Sequence, residues 1–476
     1  MSMGRRRATQ GPMWVAYDEI QRGLGHRFYE KLNDLLREAE FDRKAEELCA
    51  PHFDADHTPG RRSIPPGVYF RMHLIGYFEG IESERGIEWR CADSMSLREF
   101  LGLDLTDRVP DHSTLSRMRT RLPLEVHQQA FVLILGIVEQ KGLLRGRVTG
   151  VDSTFLRADA AMKAIVRRDT NESYAEFIKR LAKESGMEKP TEEDARRFDR
   201  SRNGKRSSNK DWKSATDSGA RIAKLKDGRT RMAYKSEHVV DLDTGAIVGV
   251  AVHPADWSDT ATIEETLEEA QQNIGKLREV GLPESGEENT PSERSTGDVL
   301  TEDTMDVPCA VVADKGYHKA AVLRRLKEKG YRTYIPERRQ QGKRRWTDKG
   351  GRKTAVAVYE NRARVERKKG KALQRKRGEL IERTFAHICE TGGARRTRLR
   401  GQDNVGKRYL LQVAAANLGL VMRSLFGGGT PRGLAESLQT CTRAVSRFIS
   451  HRETSVGALS ILFRNPRLLQ VTSCAV

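Results

Sequence analysis

The order of periodicities along this chain predicts an α/β fold: a mixed sheet flanked by helices and preceded by an all-α unit. Three observations carry that prediction. From Tyr17 to about Gly142 apolar residues recur at helical spacing, as in Phe28, Leu32, Leu35, Leu36 and again in Val68, Met72, Ile75, Phe78. Short β-branched runs follow, beginning with Arg147–Phe155 (RVTGVDSTF) and separated by amphipathic stretches. Two of these runs, Ser236–Leu242 and Ala246–Val252, flank the turn signal Asp243-Thr244-Gly245 and read as a β-hairpin.

The remaining elements follow in order. Thr260–Asn273 reads as a charged helix, Cys309–Ala313 as a buried strand, Lys319–Lys329 as a helix, Tyr331–Ile335 as a strand and Gly378–Glu390 as a helix. Strand, hairpin, helix, strand, helix, strand, helix is the order of an α/β core. At 476 residues the chain outgrows one hydrophobic core, so it divides into a helical unit at 1–145, an α/β unit at 146–425 and a tail at 426–476 released by Gly427-Gly428-Gly429. Three charged insertions interrupt the α/β unit, at 163–221, 282–306 and 338–377. The first two are poor in apolar residues and are expected as surface excursions, partly disordered.

Lys and Arg number 85 against 66 Asp and Glu, a net charge of +19. With a pI near 9.7, that excess calls for an anionic partner, nucleic acid first. The apolar runs, such as Ala130–Val138, fall short of the roughly 20 residues of a membrane span. The first ten residues are basic through Arg5, Arg6 and Arg7, with no apolar signal core behind them, so the protein is expected in the cytoplasm. Cys49, Cys91, Cys309, Cys389, Cys441 and Cys474 lack the paired spacing of structural zinc sites and read as reduced thiols.

Two aspartates stand where strands end. Asp152 follows Val148, Gly150 and Val151, and Asp314 follows Val311, Val312 and Ala313. Carboxyl ends of neighbouring strands converge on one crevice in open α/β sheets, so the two acids can share a cation although they are remote in sequence. Glu382 lies at the edge of the apolar stripe Ile381, Phe385, Ile388, placed to complete such a site. Mg²⁺ is small and hard and takes one or two carboxylates with water and phosphate. Two such ions about 4 Å apart activate an attacking hydroxyl and stabilise the leaving oxygen at phosphorus. Singly, each aspartate would more often be a helix or turn cap; it is the combination that points to metal.

The runs Gly150-Val151-Asp152-Ser153-Thr154, Ala313-Asp314-Lys315-Gly316-Tyr317 and Ile381-Glu382-Arg383-Thr384-Phe385 resemble the DDE transposases of bacterial insertion sequences, as do Arg398-Leu399-Arg400-Gly401 and Ala416-Asn417-Leu418 downstream. Ser63-Ile64-Pro65-Pro66 and Pro110–Leu122 resemble the helical domain that precedes the catalytic domain in that family. The resemblance implies a ribonuclease-H-like catalytic domain at 146–425 behind a DNA-end-binding domain at 1–145. It implies a catalytic and metal-binding triad of Asp152, Asp314 and Glu382 with two Mg²⁺ ions, Mn²⁺ substituting. It further implies action on double-stranded DNA, at element ends and target, by a homodimer or larger assembly, with no small-molecule substrate and no membrane. Many relatives carry a tyrosine and an arginine before the glutamate and a lysine after it, where this chain has Arg375, Gly378 and Cys389.

Several basic residues are candidate DNA contacts. Arg117 and Arg121 fall one turn apart on the helix that Asp111 or Ser113 caps, and with Leu97–Leu101 before it the segment reads as a helix-turn-helix or as an ordinary basic helix of a bundle. In the third insertion Arg344 and Arg345 would grip phosphates, with Trp346 either stacking on an exposed base or packed on its own domain. Arg377, Arg383, Arg395 and Arg396 lie around the glutamate and stand as replacements for the family's missing basic residues. His238 reads as a satisfied core histidine, His318 as an assistant to Asp314 or a cap, and Lys315 and Tyr317 as residues that orient DNA or the loop, the resemblance favouring a local supporting role. Two other functions compete with the transposase: a DNA-binding protein without catalysis, and a nuclease of the same fold.

Overall fold

The structure, a computed structural model, describes residues 24–53, 63–104, 106–203, 208–225, 227–280, 310–338, 346 and 351–440. Seven helices come first: α1 (Leu24–Glu38), α2 (Phe41–Cys49), α3 (Pro66–Phe78), α4 (Glu84–Ala92), α5 (Met95–Phe100), α6 (His112–Arg121) and α7 (Leu124–Gln140). Phe28, Leu32, Leu35 and Leu36 form the buried stripe of α1. Helix α3 is buried all round from Tyr69 to Phe78, so its polar residues need partners. Arg71 finds the Asp42 carboxylate at 2.7 Å, and Arg408 donates to His73. The pairing of α5 with α6 departs from a helix-turn-helix: residues 101–111 separate them, where that motif uses a turn of roughly three or four residues.

The sheet is built from β1 (Val148–Arg157), β4 (Arg221–Lys224), β5 (Thr230–Asp241), β6 (Ile247–Pro254), β7 (Ala310–Ala313) and β8 (Arg332–Tyr334), with a separate ribbon of β2 (Ile165–Arg167) and β3 (Trp212–Ser214). Strand β5 lies antiparallel to β1 on one side and takes β4 and then β6 on the other. On its second edge β1 runs parallel to β7, and β7 parallel to β8. The hairpin turns at Gly245, whose φ of 85° suits glycine.

Side-chain alternation sends β1 residues to two faces. Val151, Val239, Val311 and Ala313 pack beneath α10 (Asp259–Val280), α11 (Ala320–Glu328) and α12 (Gly351–Glu366). Val240, Leu242 and Val312 face α13 (Lys368–Ala386) and α14 (Gln402–Phe426). Helix α14 packs on α3, α7 and β6, so the helical unit and the sheet share one continuous core across the expected boundary at 145. Asn417 ties α14 to β6, accepting from the Ile247 N–H at 2.9 Å and donating to its carbonyl at 2.8 Å. By length and composition alone 402–440 would also suit a membrane span, although no single apolar run within it is that long. However, 61% of its most apolar window is buried inside the protein.

The insertions differ from expectation. Residues 163–221 fold around Trp212, which Tyr174 and Phe177 meet at 5.3 and 5.2 Å between ring centroids. Helices α8 (Tyr174–Glu184) and α9 (Glu192–Ser201) there both begin with capping boxes, Ser173 with Glu176 and Thr191 with Asp194. Most of 338–377 is helical, as α12 and the first half of α13. The second insertion, 282–306, lies outside the described residues.

Candidate active site

The parallel ladder of β1 and β7 ends at Val151 opposite Ala313, so the next residues, Asp152 and Asp314, stand side by side where the two strands part. Asp152 does not end β1, as the sequence suggested; it ends only the pairing with β7, and β1 continues along β5 to Arg157. Asp314 opens a short turn over Lys315–Tyr317 and accepts the Gly316 N–H at 2.6 Å. Burial pushes the Asp152 carboxyl up, Arg377 opposes that shift, and the neighbouring Asp314 charge adds to it.

The α13 residue that reaches this pair is Arg377, whose Nη1 lies 2.8 Å from Asp152 Oδ2. It can do so because Gly150 leaves room: a Cβ there would stand 2.8 Å from Ile381 Cδ1 and 3.2 Å from Arg377 Cγ. Gln374, one turn earlier, donates to the carbonyls of Ala313 at 3.0 Å and Tyr334 at 2.6 Å, anchoring α13 across the strand ends.

Glu382 is exposed, one position beyond buried Ile381. Lys376 pairs with Asp243, and Leu380 lies against the turn at Gly245, so that flank of α13 faces the hairpin end of the sheet. At about 100° per residue, Glu382 falls on the opposite flank, toward the strand ends where Asp152 lies. Its carboxylate is nevertheless not gathered with the pair: among the described residues no three His, Cys, Asp or Glu side chains converge on one metal position.

Behind the pair lies a buried polar network that the sequence reading missed. Ser153 Oγ donates to Asp259 Oδ1 at 3.1 Å, and Lys235 Nζ reaches the same oxygen at 2.9 Å. Glu237, fully buried, accepts from Tyr317 at 2.7 Å, Thr266 at 2.5 Å and Thr262 at 3.0 Å. Burial raises the Glu237 carboxyl against the pull of Lys235 and of those hydroxyls. Tyr317 thereby fastens the Asp314 turn to the sheet, which gives it the supporting role expected of it. A signal was present: Lys235 and Glu237 interrupt a strand otherwise reading as core, and ions buried on a strand need partners.

The other candidates lie away from the aspartate pair or outside the described residues. Arg117 and Arg121 are exposed on α6; Arg117 bonds back to Ser113 and Thr114, and Arg121 lies 5.1 Å over the Phe53 ring. Arg344 and Arg345 fall outside the described residues. Trp346 is half-buried and donates to the Tyr359 hydroxyl at 3.3 Å, so it is packed on its own domain. Arg383 pairs with Glu379, Arg395 with Glu390 and Arg396 with Asp159. Segment 395–397 pairs with the end of β1, bringing Arg396, paired with Asp159, and Arg398, paired with Glu82, near Arg157 and Arg231. His238 is a core histidine, stacked on Phe385 at 4.1 Å and bonded to the Tyr409 hydroxyl at 2.7 Å. His318 sits 3.6 Å from Glu337.

Two families match the chain. Residues 16–121 match the Transposase domain (DUF772), and residues 215–418 match the Transposase DDE domain. The second match contains Asp314 and Glu382, whereas Asp152 lies between the two, so its place at the site comes from its register against β7. No curated protein and no solved structure matches the chain.

Proposed function

Because this chain belongs to the DDE transposases of insertion sequences, we propose that it binds the ends of its element and cuts and joins DNA where Asp152 and Asp314 meet, Glu382 serving as the third acid. The observation that carries this reading is the parallel register that sets the two aspartates side by side. We read the fold as ribonuclease-H-like. The strand order β6-β5-β1-β7-β8, with β5 antiparallel to β1, supports that reading.

The residues present fit a divalent cation. Two hard oxygen donors stand on adjacent strands, one raised by burial and by the charge of the other, and Arg377 holds the Asp152 oxygen that a cation would have to take over. Mg²⁺ or Mn²⁺ bound there, as two ions, would supply Lewis-acid activation of a water or 3′-hydroxyl and charge stabilisation at the leaving oxygen. The chain's own residues do the rest. Gln374 and Tyr317 hold α13 and the Asp314 turn in place, and Arg377 orients Asp152. Glu382 stands on the flank of α13 toward the strand ends and is the acid that would complete the site. Arg157 and Arg231 meet the phosphate backbone beyond the pair, with Arg396 and Arg398 exchanging Asp159 and Glu82 for phosphates. Arg117, Arg121, Arg344, Arg345, Arg383 and Arg395 belong to the wider DNA surface of a homodimer or larger assembly holding two ends.

The test is metal-dependent cutting of a DNA fragment carrying the element's end. Wild type should cut with Mg²⁺ or Mn²⁺, whereas Asp152→Ala and Glu382→Ala should retain DNA binding and lose cutting; unchanged cutting in either variant overturns the assignment. Glu382's separation from the pair favours a second reading, a DNA-binding protein without catalysis, which predicts specific retention of DNA and no cutting with any divalent metal.

A further inference from the structure

A cavity of ≈ 230 Å³ lies where the helical unit meets the α/β unit, and neither Asp152 nor Asp314 borders it. The first turn of α4, Ser83 to Arg85, forms one wall; segment 393–399 forms another, and α14 closes the cavity with Arg408 and Tyr409. It is smaller than the roughly 300–1,000 Å³ of drug-sized ligand sites and suits a small ion with its waters. Arg408 sets its character, being 8% exposed. The guanidinium donates to His73 Nδ1 and, at 3.0 Å, to the Ile81 carbonyl. Both acceptors are neutral, since burial first and the Arg408 charge second hold the His73 ring well below its ordinary pKa.

Among the described residues no carboxylate pairs with Arg408. The two acids at the cavity are already engaged, Glu84 by Arg119 and Glu82 by Arg398 at 2.9 Å. Burial brings the Arg408 guanidinium down to about 10, which still leaves it charged at neutral pH. Its neighbours add to the excess. Arg396 gives Nη2 to Asp159 at 2.9 Å, while its Nε is buried without a hydrogen-bond partner. Arg85, exposed at the rim, meets His112 Nε2 at 3.4 Å, and the positive end of the α4 dipole lies beside it. A buried charge without a counter-charge is costly, and a buried N–H without an acceptor calls for one. An anion in the cavity would satisfy both.

We propose that this cavity binds one free tetrahedral oxyanion of the phosphate class, held by Arg408, Arg396 Nε and Arg85, and that the ion seats α4 of the helical unit on segment 393–399 and α14. A backbone phosphate of DNA shares that chemistry, but it carries a sugar on each side and so reaches the rim, whereas Arg408 stands inside on a buried face of α14. The inference goes beyond the DNA-cutting reading and does not depend on it.

The experiment is calorimetric titration of the full chain with inorganic phosphate, at an ionic strength held constant with sodium chloride so that screening does not change. Wild type should take up one phosphate per chain, and its melting temperature should rise as the site fills. Arg408→Met should weaken binding by about tenfold or more, the loss of one hydrogen bond to a charged group. Ser83→Asp keeps the α4 cap, because aspartate caps a helix as well as serine does, and sets a negative charge at the cavity. It should weaken binding by about fivefold or more, the repulsion of two charges about 4 Å apart in water. Thermal melting checks the folding of each variant; should Arg408→Met melt early, Ser83→Asp decides. The same titration into chain saturated with a blunt DNA duplex separates the two sources of phosphate: a free-ion site still takes it up, whereas its loss under DNA makes the cavity a contact for the backbone and overturns the proposal. Wild type that takes up no phosphate at millimolar concentration overturns it too, as do folded Arg408→Met and Ser83→Asp proteins that bind phosphate as wild type does.

Discussion

Replacing Arg377 by methionine isolates the contact that holds Asp152 in place. The guanidinium lies 2.8 Å from the carboxylate, and the two side chains are 13% and 29% exposed. Exposed ion pairs contribute about 0–1 kcal/mol, and breaking a fully buried one costs about 3–5, so this partly buried pair should cost about 2 kcal/mol to break. Methionine keeps the apolar stem over Gly150, so lost packing contributes little. Asp152→Asn on the same background should recover most of the loss, because a neutral amide needs no counter-charge, giving a coupling of about 1–2 kcal/mol in the double-mutant cycle. Urea unfolding followed by circular dichroism measures all four corners. Repeating it with Mg²⁺ adds a second readout: the ion should stabilise Arg377→Met more than wild type, since the arginine no longer competes for the same oxygen. An Arg377→Met protein as stable as wild type, or costs that simply add, would refute this account of the pair.

Three further outcomes follow from other parts of the molecule. Gly150→Ala would push a methyl to within 2.7 Å of Leu242 Cδ2 and 2.8 Å of Ile381 Cδ1; overpacking of this kind costs about 1–3 kcal/mol, measurable as a lower unfolding midpoint, together with loss of cutting as α13 moves off Asp152. Glu269 is half-buried on α10 near Glu265, and its carboxyl is pushed up from 4.5 to about 8 by desolvation first and that neighbour second. Its folded form therefore holds a proton that the unfolded chain releases, so stability is full below pH 4.5 and falls as pH rises toward 8, with a slope approaching about 1.4 kcal/mol per pH unit. Glu269→Gln should flatten that part of the melting-versus-pH curve, and an unchanged curve would count against it. Trp212→Ala removes the centre of the 163–221 unit, a change that costs about 3–5 kcal/mol in a packed core, so limited proteolysis should gain cuts confined to that segment.

The parts of the fold legible in the sequence were those governed by apolar period. The stripe of α1, the β5–β6 hairpin at Gly245 and the strands preceding the two aspartates all follow from spacing that burial then satisfies. The 163–221 segment was misread because its core is one tryptophan wrapped by charged stems: Arg167 lies 5.7 Å from the Trp212 ring, and Arg180 and Arg202 lie 5.2 and 5.9 Å from Phe177. Low apolar content there conceals a packed unit, since arginine covers aromatic faces with its own side chain. Helix α12 was hidden similarly: beyond Gly351, it buries only Ala357, Val358 and Asn361 among its charges, and Asn361 is held by both backbone groups of Ile335.

At the site, the two aspartates were readable because each follows an apolar strand run. What single-strand patterns cannot reveal is register, and register is what makes the pair neighbours. The role of Arg377 depends on a glycine directly beneath it on the sheet, and the Glu237 network joins β5, α10 and the Asp314 turn. Neither involves residues close in sequence. Of the two readings of α5 and α6, the helix-turn-helix lacks its tight turn for a simpler reason: helix starts and stops can be read locally, but the path of the intervening loop cannot.

The central claim is that Asp152 and Asp314 hold a divalent cation, and iron can report this directly. Fe²⁺ loaded in place of Mg²⁺ and exposed to ascorbate and peroxide cuts the protein backbone close to wherever it is bound. The account predicts fragments ending within a few residues of 152 and of 314, suppressed by excess Mg²⁺ and lost in Asp152→Asn, with an added cut near 382 if α13 closes over the site. Cuts elsewhere that ignore Mg²⁺ and persist in Asp152→Asn would contradict it.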